Sequence, residues 1–77
     1  MNEKSLNKAE KARADIQDLP NVDSVSEIIG AKPTFCVRMY GFKRDFLEYV
    51  DVWGLELDMV NPRTDKRGVE VWLKLTD

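Results

Sequence analysis

Two short runs of alternating side chains constrain this chain more than any other feature. In residues 55–60, Leu55, Leu57 and Met59 fall on one side, and Glu56, Asp58 and Val60 fall on the other. In residues 69–75, Val69, Val71, Leu73 and Leu75 alternate with Glu70, Trp72 and Lys74. A period of two is that of a strand with one buried face. Between the runs, residues 61–68 form a charged turn segment with Pro62 near its start and Gly68 at its end. The pattern predicts an antiparallel β-hairpin. Residues 34–41 repeat the alternation. Phe35, Val37 and Met39 share one side, Cys36, Arg38 and Tyr40 share the other, and Pro33 leads in, where no ladder donor is needed.

The remaining segments change period. Leu6, Ala9, Ala12, Ile16 and Leu19 recur at steps of three or four, which predicts a helix over residues 3–19 that ends before Pro20. Phe42, Phe46, Tyr49, Val50 and Trp53 line one side of a helix over 43–53, closed by Gly54. The run Tyr49-Val50-Asp51-Val52-Trp53 is also good strand material, so a long bent strand is the rival reading. Residues 21–30 are ambiguous as well. Ser24 and Glu27 are spaced as a capping box and Gly30 fits a helix C′ position, which favours a short helix. A strand over 25–29 is the alternative.

These elements predict one α+β domain over residues 1–77, with residues 1–5 frayed. Its architecture is a two-layer sandwich. Two or three helices cover one face of an antiparallel sheet of three or four strands, and the other face is partly solvated. A chain of 77 residues has room for one thin core, burying about 60% of its unfolded surface.

The absent chemistry narrows the function. There is no histidine, which removes the commonest general base and metal ligand. The single cysteine, Cys36, cannot form an internal disulfide or a four-ligand zinc site, and it points to a reducing compartment. The four glycines are scattered, so no phosphate-binding loop is present. Asp45, Glu48 and Asp51 read as the solvated face of a helix and not as acid–base machinery. Cys36 reads as a packed apolar group. We therefore expect a non-enzymatic protein without cofactor, catalytic residue or metal. The polar N-terminus and the lack of a long apolar run lead us to expect no membrane association and a cytoplasmic location.

With 12 basic and 14 acidic residues the net charge is −2, so there is no wholesale basic footprint for nucleic acid. The solvated sheet face carries the candidate site. Arg38, Tyr40, Trp72 and Lys74 are the expected partner-binding residues, since exposed Trp, Tyr and Arg are the side chains enriched in interface hot spots. A small regulatory, adaptor or inhibitor-type module that binds a protein is the leading expectation. The second is single-stranded nucleic-acid binding, with bases on the aromatic rings and Lys43, Arg44, Arg63, Lys66 and Arg67 on the phosphates. Glu56, Asp58 and Glu70 on the same face oppose it. Residues 66–72 open on a basic pair and a glycine, but their aromatic positions do not match an RNA-reading strand. A structural homo-oligomer is the third expectation, leaving the chain a monomer or homodimer. Tyr40 and Trp72 acting only as a cross-strand pair that shields the sheet is the purely structural alternative.

Overall fold

The computed structural model describes residues 3–42, 44–65 and 67–76. The order is α1 (Glu3–Gln17), β1 (Val22–Val25), β2 (Thr34–Met39), α2 (Arg44–Val52), β3 (Leu55–Pro62) and β4 (Val69–Leu75). The four strands form one antiparallel sheet in the order β1-β2-β4-β3. The fold is the expected α+β sandwich with two helices. Met1 and Asn2, part of the segment expected to fray, lie outside the described residues.

β2 and β4 are the central strands, and their register explains the alternation. Phe35 pairs with Leu73, Val37 with Val71 and Met39 with Val69. The first two pairs and Met39 are fully buried on the helix side. α1 brings Ala9, Ala12 and Ile16 onto this layer, and α2 brings Phe46 and Val50. The two alanines let α1 approach closely with little side-chain entropy lost. Arg13 of α1 donates from Nη2 to the Val25 carbonyl (3.1 Å) and from Nε to the Ser26 carbonyl (2.6 Å). Trp53 Nε1 donates to Asp15 (3.1 Å) and ties the end of α2 to α1. The first helix thus packs on its own domain.

Two expectations change. Residues 22–25 are a strand, neither the short helix nor the strand over 25–29. The capping-box spacing of Ser24 and Glu27 is a local signal, and cross-strand pairing of Val22 with Met39 and Val25 with Val37 outweighs it. Gly30, at φ +87°, belongs to the turn between β1 and β2, where Ile29 and Thr34 exchange backbone hydrogen bonds. The second change is in β3. Leu57 pairs with Leu73, but Met59 pairs with Trp72, which leaves Asp58 as a bulge. The extra residue reverses the alternation, so Met59 joins the Trp72 face and Val60 faces the helix side opposite Val71. The expected grouping of Met59 with Leu55 and Leu57 is therefore corrected.

Gly68 sits at φ +120° beside the Met39 carbonyl, and a Cβ there would drive into that oxygen. Gly41 has open space around it and no positive φ. Gly68→Ala should cost about 3 kcal/mol or more. Gly41→Ala should stay within about 0.5 kcal/mol of wild type. Urea denaturation of the two variants checks the contrast; equal midpoints would contradict the close approach.

Candidate functional site on the open sheet face

The face away from the helices is built by the residues that alternate with the core. Parity places Cys36 and Arg38 on β2, Glu70, Trp72 and Lys74 on β4, Glu56 and Met59 on β3, and Ser24 on β1. Trp72 stands near the centre, half-buried, between Cys36 on one side and Met59 on the other. Met59 is 51% exposed. Sequence reasoning missed Met59. The signal was Val60, an apolar residue where strict alternation demands a polar one.

The charged residues of this face are paired. Arg38 Nε lies 3.2 Å from Glu70, directly across the β2–β4 ladder. Lys74 Nζ lies 3.4 Å from Asp58 and 3.6 Å from Glu56. Hydrogen bonding and charge from Asp58, with Glu56 behind it, raise the Lys74 ammonium pKa. All three pairs are partly solvated, so each contributes little stability.

Tyr40 and Trp72 do not form a cross-strand pair. Trp72 faces Cys36, two alternations along β2 from Tyr40. Tyr40 instead donates its hydroxyl to Asp23 (2.7 Å), and the Arg63 guanidinium lies 5.8 Å from its ring centroid. Arg63 was expected to offer a free cation in the hairpin loop, and this is corrected. Its side chain is buried, bonded to Asp23 (3.0 Å) and doubly to Asp65 (3.1 and 3.2 Å). Loop closure by Arg63 N–H on the Gly68 carbonyl (3.1 Å) turns it inward. Its Nη1 is buried without a hydrogen-bond partner. Arg63 therefore rivets the hairpin loop to the β1 bulge, and the short Arg63-x-Asp65 spacing was the available signal. Among the other candidate nucleic-acid residues, Arg44 and Arg67 are exposed, while Lys43 and Lys66 lie outside the described residues.

Between Trp72, the Arg38–Glu70 pair and the Ser24–Ser26 backbone lies a cleft of about 240 Å³ floored by Cys36. It is smaller than the roughly 300–1,000 Å³ typical of small-molecule pockets. Burial, then the Glu70 charge, raise the Cys36 thiol pKa against the opposing pull of Arg38. A buried thiol whose pKa is raised is a poor nucleophile. Among the described residues no three His, Cys, Asp or Glu side chains converge as metal ligands. No described helix is long and apolar enough to cross a membrane.

No family model, curated protein or solved structure matches this chain.

Hydrogen bonding from Arg63 holds the Asp65 carboxyl below its ordinary range, against a smaller opposing effect of desolvation. A depressed folded-state pKa stabilises above the unfolded value, about 3.9. That contribution is lost as pH falls through the folded value. Wild type should therefore lose more stability below about pH 4 than Asp65→Asn does. Urea midpoints from neutral to acidic pH test this; parallel profiles would remove Asp65 from the rivet.

Proposed function

We propose that the protein is a non-catalytic module that binds another protein through the open face of its sheet, with Trp72 and Met59 as the apolar centre. The observation that carries this reading is the charge-compensated setting of Trp72. A large amphipathic ring stands near the middle of the face with a flexible thioether beside it on the edge strand β3, and Arg38–Glu70 and Lys74 with its two carboxylates lie around the ring. An apolar centre within a polar rim is the anatomy of a protein interface. Arg38 and Lys74 act at that rim, and Tyr40 extends it toward the Arg63 rivet. Methionine suits such a surface because it adapts to the shape opposite it.

The same pairing argues against nucleic acid as the partner. Phosphate binding gains from cations whose counterions can be released, and Arg38, Lys74 and Arg63 are engaged with carboxylates. The want of histidine and the buried Cys36 thiol, whose pKa is raised, support a role without catalysis. A single cysteine and no disulfide support a reducing compartment such as the cytoplasm. A regulator, adaptor or inhibitor of a larger assembly fits this description.

Tagged wild type, Trp72→Ala and Met59→Lys should be compared as baits in extract of the native host, with and without nuclease. A specific protein captured by wild type should bind Trp72→Ala more weakly by about 2 kcal/mol or more. Circular dichroism and urea midpoints verify that each bait is folded. Undiminished capture by both folded variants would refute the face. Capture abolished by nuclease, with single-stranded RNA binding in about 50 mM salt, would replace protein by nucleic acid.

A further inference from the structure

The two edges of the sheet are finished differently. Leu75 N–H donates to the Pro33 carbonyl beyond β2 (3.1 Å), so alternate residues of β4 turn their backbone groups that way. Glu70, Trp72 and Lys74 then turn theirs toward β3, where they meet Asn61, Met59 and Glu56. The residues between, Leu57 and Val60, aim their N–H and C=O groups outward, away from the sheet. On the opposite border the outward carbonyl of Val25 is capped by the Arg13 guanidinium. Among the described residues no such cap covers Leu57 or Val60.

The same two residues carry exposed apolar side chains on the helix side, Leu57 at 43% and Val60 at 47%. α2 continues this strip. Tyr49 and Trp53 flank its buried stripe on the α1 side, where Trp53 bonds Asp15. At 3.6 residues per turn, exposed Leu47 and Asp51 fall on the other flank, over β3. Carboxylates dominate the surroundings. Among the described residues Glu56, Asp58 and Asp51 border the strip; Lys74 pairs with the first two, and Arg44 shares the flank of Asp51 two turns away along α2, which leaves the border net acidic.

We propose that the outer edge of β3 is a docking site for an extended basic segment of another protein, added as a further antiparallel or parallel strand. Its backbone pairs with Leu57 and Val60, its apolar side chains cover Leu57, Val60 and Leu47, and its lysines or arginines meet the bordering carboxylates. A second copy of this chain is a poor occupant. Two-fold pairing of β3 with itself sets this carboxylate-rich border against its own image, and like charges across a strand pair destabilise it. The Asp58 bulge further shortens the stretch over which two such edges fit. This edge shares Glu56 and Asp58 with the border of the Trp72 face, but its apolar strip lies on the helix side and the proposal does not use Trp72.

The test uses the isotope-labelled full chain and two short synthetic peptides, one alternating lysine with valine and the other glutamate with valine. The lysine peptide should slow hydrogen exchange of the Leu57 and Val60 amides at least about tenfold, and the glutamate peptide should leave them unchanged. Asp51→Lys with Glu56→Lys should abolish that protection, while Trp72→Ala should keep it. No slowing, equal slowing by both peptides, or shifts confined to Arg38 and Trp72 would overturn the proposal. So would slowing that rises with protein concentration alone, which would assign the edge to a second copy.

Discussion

The structure depends on the pairing of β2 with β4. These strands are distant in sequence, and each has a neighbour on both sides. Their inward residues, with Phe35, Val37, Leu73 and Val71 at the centre, form the plate on which both helices rest. Without that plate the helices keep little beyond the Trp53–Asp15 contact between them. α1 offers only a narrow stripe of two alanines and an isoleucine, and a short helix is marginal in water alone. The charged pairs are secondary, because most are solvated and contribute little.

That central pairing also organises the candidate site. Once Phe35 and Val37 face the helices, Cys36 and Arg38 must face away, and Trp72 and Glu70 meet them across the ladder. The apolar centre and its ionic border therefore follow from the same register as the core. The outer strands adjust this frame through irregularities. Asp23 in β1 and Asp58 in β3 each interrupt the register. One interruption brings a carboxylate to Arg63, and the other turns Met59 toward Trp72.

Much of this was legible in the sequence. Residues 34–39 and 69–75 keep a strict period of two because the helix side of each strand is sealed, and 55–57 keeps it beside them although Leu57 is partly exposed. The first helix shows in its period and in Pro20, though it stops at Gln17 and not at residue 19, while the period of 43–53 and Gly54 favoured the second helix over a bent strand that only the structure excludes. What was not legible depends on contacts between distant segments. Local capping chemistry around Ser24 pointed to a helix, and pairing with β2 overruled it. Arg63 looked like a loop cation because its partner Asp23 lies far back along the chain. The separation of Tyr40 from Trp72 was hidden because alternation gives the face of a residue and not its position along the ladder.

The Arg13 cap on the border of β1 has a consequence for assembly. Growth of a sheet by successive head-to-tail addition requires two receptive borders on every unit. Here a guanidinium already holds the outward carbonyl of Val25, so a strand arriving at the β1 border would have to displace Arg13 before it could pair there.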